Sequence, residues 1–386
     1  MHTYLSSRLI YSYTPLEQLK HAYSQKMPFT VDSYAVNSAT SDLEPYKLER
    51  RDLCDDDILI DIMYSGICHT DQHFARDKWG NAVYPMVPGH EIVGLVSAVG
   101  KNVKQHSVGD FVAVGCIVDS CRKCTHCLNN EEMFCTEGNT QAYNSPEPRF
   151  PGHSTAGGYS EAIVVPEHFV LKVPKSLQTP TLLPGVAPIL CAGVTMYCPL
   201  KEFEVSKGQK IGIIGLGGLG LMGVRLAVAM GAEVMVISRN HNKDSDAKAM
   251  GAKGVISSSS KEELALHDST FDLLIDTIPT DHDINIYFPL LKPHKTLAIV
   301  GHVGRFEKNI IDLSALILGN RHIAGSFIGG IEISQEVLNF CGEHEIVADH
   351  TIIPMEQANE AWKVISDSAK RYIIDISAFS NRSKSN

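Results

Sequence analysis

The chain has 386 residues, 44% hydrophobic and 20% charged, with a formal net charge of −10. That composition belongs to a globular protein with ample material for a core, and the length predicts two domains. The acidic balance argues against nucleic acid and anionic membrane as general partners, and no apolar run approaches the length of a membrane span.

Residues 1–26 carry no apolar core long enough for a secretory signal, and are compatible with either a transit peptide or an extended or misassigned start. Met27 opens MPFTVDSYAV, which reads as a strand. From Thr30 to about Val165 short strands alternate with turns: Ile58–Ile62, Ile92–Val99, Phe111–Val114 and Tyr159–Val165. Strands so often broken by Gly and Pro predict a compact barrel-like β domain. From Gly208 the texture changes. KIGIIG reads as a strand and LMGVRLAVAMG as an apolar helix ending at Gly231; EVMVIS, FDLLIDTI and TLAIVGHV are further strands. Strands alternating with helices predict an α/β, doubly wound parallel sheet. Helices near Ser334–Glu343 and Met355–Ile365 and a strand at Tyr372–Ile376 close the chain.

Three motifs carry chemistry. Gly215-Leu216-Gly217-Gly218-Leu219-Gly220 fits GxGxxG, follows a predicted strand and opens a helix, the context of a dinucleotide site. The helix N-terminus there offers N–H donors to phosphates. At the end of the next strand, where a carboxylate would bind a ribose 2′-hydroxyl, stand Ser238 and Arg239, with Lys243 nearby. Cations and a hydroxyl suit a 2′-phosphate, so NADP(H) is expected over NAD(H); the alternative is that Arg239 and Lys243 are plain surface cations.

Ten cysteines without a secretory signal point to metal binding rather than disulfides, and to a cytoplasmic protein. Cys121, Cys124, Cys127 and Cys135 are spaced to close a tetrahedron around Zn²⁺, a structural site. Cys116 reads as a strand-end thiol. The third motif is GICHTDQH followed by YPMVPGHEIVG, with Cys68 and His90 as donors and Asp71 and Glu91 beside them. Cys191 in PILCAGVT supplies a third ligand, and two Cys with one His leave a position free, as a catalytic zinc requires.

The set GICHTD, PGHEIVG, the four-cysteine loop, LCAGVT, GLGGLG and GSFIGG resembles the zinc-dependent medium-chain alcohol dehydrogenases, above all their cinnamyl alcohol dehydrogenase-like, NADP-preferring branch. The resemblance spans about residues 30–376. It implies a GroES-like catalytic domain at 27–191 and 331–386, with a Rossmann domain at 192–330 between. It implies two Zn²⁺ per chain, the catalytic one on Cys68, His90 and Cys191 with Glu91 as a transient ligand or field-tuning neighbour. Asp71 corresponds to the carboxylate that orients the histidine, Thr70 to the hydroxyl on the substrate oxygen, and His73 to the outer member of a proton relay. His69 corresponds to a residue near the cofactor phosphates, and Thr195 joins the cofactor-binding set. Trp79 and Tyr84 fall in the region lining the substrate entrance, while Gln141–Gly157 departs from the pattern of a plant lignin enzyme. The implied activity is hydride transfer between NADP(H) and primary alcohols or aldehydes, aromatic or medium-chain, mainly as aldehyde reduction. A polyol or secondary-alcohol dehydrogenase, or a non-catalytic NADP(H)-binding protein on the same scaffold, are the alternatives. A homodimer joined through Rossmann sheet edges is the implied assembly.

Overall fold

A computed structural model of the chain describes residues 28–301, 311–365 and 371–383. The stretch 1–26 lies outside the described residues. Strands β1 (Phe29–Val36) and β2 (Leu43–Arg50) form an antiparallel hairpin. Then come β3 (Asp57–Gly66), helix α1 (His69–Ala75), β4 (Ile92–Val99), β5 (Phe111–Val114) and β6 (Ile117–Asp119). Helix α2 (Thr125–Leu128), β7 (Thr140–Gln141), β8 (Ala162–Pro166) and β9 (Leu171–Lys172) follow, and α3 (Ala192–Glu202) leaves this half. The β-branched runs expected at 92–99 and 111–114 are β4 and β5.

The next segment alternates as its sequence predicts: β10 (Lys210–Ile214), α4 (Gly218–Ala229), β11 (Glu233–Ser238), α5 (Asp244–Ala249), β12 (Val255–Ser257), α6 (Lys261–Ala265), β13 (Phe271–Asp276), β14 (Leu291–Ile299), α7 (Leu313–Ile317) and β15 (His322–Gly325). All pairings are parallel, in the order β12-β11-β10-β13-β14-β15. This is the 3-2-1-4-5-6 order of a dinucleotide-binding sheet, with its switch point between β10 and β13. Both faces are buried. Ile211, Ile213, Val234, Val236, Leu273 and Ile275 face the larger core, while Ile214, Ile237, Leu274 and Leu297 face a second cluster. Each buried Ile, Leu or Val contributes about 1.5–3 kcal/mol, so continuous apolar runs here are a requirement of position.

The chain then returns through α8 (Ile331–Glu343), β16 (His350–Pro354), α9 (Ala358–Val364), β17 (Arg371–Asp375) and α10 (Ile376–Ser383). These last strands join the first half. Its seven-stranded sheet runs β16-β17-β3-β4-β5-β9, with β8 also on β3. Along one side of β3, Asp57–Asp61 pair with β8 and Tyr64–Gly66 with β17, while β4 lines the other side. One hydrophobic core runs continuously through residues of both sheets. Among the described residues no single helix is long and apolar enough to cross a membrane.

Candidate active site

The cluster forms where β3 ends. Gly66 N–H donates to the Glu91 carbonyl (2.8 Å) and Ile67 N–H to the Tyr372 carbonyl (2.9 Å), so the turn into α1 is held from both sides. Cys68 is the N-cap of α1, and its backbone N–H donates to Asp71 Oδ2 at 2.9 Å. A buried 3-10 helix, Leu183–Leu190, delivers Cys191 to the start of α3. Donor atoms of Cys68, His90, Glu91 and Cys191 thereby lie within 4.8 Å of one another, and the Cys68 and Cys191 sulfurs are 3.8 Å apart. Asp71, fully buried, also accepts from Gly89 N–H (3.1 Å) and faces His90 Nδ1 (3.1 Å). That contact fixes the imidazole with Nε2 turned away, and Nε2 is buried without a partner. A buried, unpaired nitrogen beside two thiols fits a soft divalent cation such as Zn²⁺.

The donor groups act strongly on one another. The Cys191 thiol, hydrogen-bonded to Cys68, holds Cys68 well below the usual thiol range. Burial pushes the Glu91 carboxyl up to about 8, against the pull of Arg371. Glu91 Oε2 has no partner, and a Cβ at Gly66 would run into this carboxylate, so only glycine leaves it room. Cys116 does more than end a strand: it lies close enough to Cys191 and His90 to shift the protonation of both. Its spacing in the sequence gives no sign of this, because β5 and the 183–190 helix meet only in the fold.

Arg371, at the start of β17, pairs with Glu91 Oε1. A Cβ on Gly218, in the first turn of α4, would sit 2.6 Å from its Nη1. One guanidinium therefore spans from the cluster to the glycine loop. Nothing in the sequence singles it out, since a lone Arg before a strand carries no pattern. In the loop itself Gly215 has φ +88, a Cβ on Gly220 would strike the Gly215 carbonyl, and Gly217 has open space where a phosphate would approach. Leu219 is half-buried beside them. Ser238 ends β11, its carbonyl bonded by Ser258 N–H, and Arg239 is exposed. Lys243 Nζ donates to the Leu216 carbonyl at 2.8 Å, so this ammonium already braces the loop. Thr195 is buried on α3, one turn past Cys191, to whose carbonyl its N–H donates.

His69, Thr70 and His73 share α1. The His69 and His73 rings stack with centroids 5.5 Å apart, and His73 lies 5.6 Å from Trp79. Burial lowers both imidazoles below the usual histidine value. An aromatic wall runs from Trp79 through Phe74 (4.5 Å) and Tyr143 (5.4 Å) to His90 (5.9 Å). Tyr143 comes from the 141–157 stretch. Tyr84 instead sends its hydroxyl to the Ala75 carbonyl at 2.9 Å, bracing the end of α1.

The second cysteine group is separate. Sulfurs of Cys121, Cys124, Cys127 and Cys135 lie within 4.8 Å of one another. Backbone N–H groups of Cys124 and Cys121 point at the Cys121 and Cys135 sulfurs (3.3 and 3.5 Å), and N–H donors from Cys127 and Thr136 bring Cys124 down to about 5. No carboxylate or histidine is among the four, so the group resembles a closed site.

A parallel sheet with this loop, joined to a β-rich half bearing a Cys-His-Cys cluster, has the build of a metal-assisted dehydrogenase. The alcohol dehydrogenase GroES-like domain matches residues 54–175, and the zinc-binding dehydrogenase family matches residues 218–343. A probable formaldehyde dehydrogenase, AdhA of Bacillus subtilis (strain 168), is 44% identical, covering 89% of this chain and 97% of the relative. The aldehyde reductase YahK of Escherichia coli (strain K12) is 44% identical over 88% of this chain and 96% of its own length. The crystal structure of CAD from Helicobacter pylori complexed with NADP(H) superposes with a TM-score of 0.82 at 38% identity, covering 91% of this chain and 99% of that one. The chain belongs to the medium-chain alcohol dehydrogenases, and its two halves are the GroES-like and Rossmann units of that family.

Proposed function

We propose that this protein is a zinc-dependent oxidoreductase that interconverts primary alcohols and aldehydes with NADP(H), working mainly as an aldehyde reductase. The carrying observation is the orphaned, buried Nε2 of His90 in one group with the Cys68 and Cys191 thiols. Bound there, Zn²⁺ would supply Lewis-acid polarisation of the substrate oxygen.

The chain's own residues do the rest. Cys68, His90 and Cys191 hold the metal, and Asp71 keeps His90 in the tautomer that frees Nε2. Glu91, shared with Arg371, tunes the local field or becomes a transient ligand. Thr70 bonds the substrate oxygen and passes a proton between it and His73. His69 and the glycine loop, from Gly215 to Gly220, face the cofactor phosphates, and Thr195 completes that pocket. Ser238 and Arg239 read the 2′-phosphate, a reading supported by the absence of a carboxylate there and by the NADP(H) held in the Helicobacter pylori relative. The aromatic wall of Trp79, Phe74 and Tyr143 favours aromatic or medium-chain substrates over polyols. Cys121, Cys124, Cys127 and Cys135 hold a second, structural zinc. The division of labour follows the boundaries 27–191 with 331–386, and 192–330.

The test is a steady-state scan of alcohols and aldehydes with NADPH against NADH, alongside zinc content. About two zinc per chain and a preference for NADPH with aromatic or medium-chain aldehydes are expected. One zinc per chain, or turnover of polyols alone, would sink this reading.

A further inference from the structure

The carboxylate of Asp71 collects one more donor than the ligand shell needs. Its Oδ2 accepts from Cys68 N–H and also from the Tyr159 hydroxyl, at 3.3 Å; Oδ1 serves Gly89 N–H and His90 Nδ1. Behind Tyr159, the Trp362 Nε1–H donates to that hydroxyl at 3.5 Å. Tyr159 has no exposed surface, and Trp362 is buried with it. Indole nitrogen can only donate, and both Asp71 oxygens already accept from backbone N–H groups. The direction of the chain is therefore forced: Trp362 to Tyr159, and Tyr159 to Asp71.

Two further contacts fix Tyr159 against the ligand segment. Its N–H donates to the Pro88 carbonyl at 3.0 Å. A Cβ on Gly89 would sit 2.8 Å from its ring, so the ring packs on the residue just before His90, where φ is +105. Trp362 is held by α1 in turn, since Gln72 Nε2 donates to its carbonyl at 3.0 Å and the Arg76 guanidinium lies 5.6 Å over its ring.

We propose that Tyr159 is a positioning residue for the metal ligands: its hydroxyl, oriented by Trp362, locks the rotation of Asp71 and through it the aim of His90 Nε2. The proposal rests on the reading of Cys68, His90 and Cys191 as a zinc site. Groups one step beyond a ligand change metal affinity by about 10–100-fold when removed. Tyr159 acts one step further out and over longer contacts, so a smaller effect, about 3–10-fold, is expected.

The test uses the holoenzyme and a colorimetric zinc chelator. The wild-type protein should release two equivalents in two kinetic phases. Tyr159→Phe, which keeps the buried ring, should speed one phase about 3–10-fold and leave the phase of the four-cysteine loop unchanged. Trp362→Phe should act in the same direction with smaller amplitude. Cobalt(II)-substituted Tyr159→Phe should show altered visible bands from the thiolate-bound ion. NADPH binding by each variant checks that the fold is intact. Unchanged release and unchanged cobalt bands in Tyr159→Phe would overturn the proposal, even if the melting temperature fell. A wild-type protein with a single zinc would overturn the underlying site reading as well, which separates the two failures.

Discussion

Arg371 is the residue on which the two halves meet. Its guanidinium lies between Glu91 and the first turn of α4, with Nε buried and unpartnered. Arg371→Ala should weaken NADPH binding about 10–100-fold, the worth of a charge-assisted hydrogen bond, read by fluorescence titration. Arg371→Lys should recover part of that loss. An unchanged dissociation constant in both variants would remove Arg371 from the cofactor site. His73 makes a pH prediction. Burial first, then His69 and Lys78, lower its value below 6.5, so the ring is neutral at pH 7 and able to accept a proton. As pH falls through that lowered value the ring becomes charged and the relay stops. The kcat profile for alcohol oxidation should thus show an acid limb below the ordinary histidine range. His73→Gln should abolish that limb and reduce kcat about 100-fold; a limb that persists in the variant assigns it elsewhere. The grouping of Cys68, His90 and Cys191 was legible because thiol and imidazole donors in such motifs have few other uses. Arg371, Cys116 and Tyr159 were not, because each owes its place to a contact far along the chain.

The four-cysteine loop has little apolar core of its own: Leu128 and Phe134 within it are exposed. Beyond its thiols it is tied down by Glu132, a fully buried carboxylate that accepts from His168 Nε2 (2.8 Å) and from Ile331 N–H at the start of α8 (3.0 Å). Cys124→Ser should lose one zinc and lower the melting temperature by about 5–15 °C, with the other zinc retained. Calorimetry with metal analysis decides it, and an unchanged melting temperature would end the structural-site reading. Strands β4, β5, β10, β11 and β13 announce themselves as β-branched or apolar runs buried on both sides. β2 and β15 do not: β2 has only its two end residues buried, and β15 has no fully buried residue. An exposed strand has no reason to alternate cleanly, so its sequence carries little signal. The helix expected at Ser334–Glu343 begins earlier, at Ile331, because Glu132 caps it from a distant loop.

For the molecule as a whole, β15 ends the parallel sheet with one side unpaired among the described residues. Next to it in the chain, Ile317 and Leu318 are 71% and 88% exposed. An open edge beside apolar side chains suits a second copy of the chain. Light scattering should give a homodimer, and Leu318→Glu should shift it toward monomer at micromolar concentration; a wild-type monomer would exclude this assembly.

The junction on β3 bears on how the chain reaches its native state. Tyr64–Gly66 wait for Ile373–Asp375, a partner that lies about 300 residues further along the chain. Until it arrives, the β3 edge beside Cys68 stays open on the ribosome. Closing it demands a loop of about 300 residues, the kind of distant pairing that slows folding and leaves time for aggregation. Removal of β17 would therefore damage the half that carries β3 first.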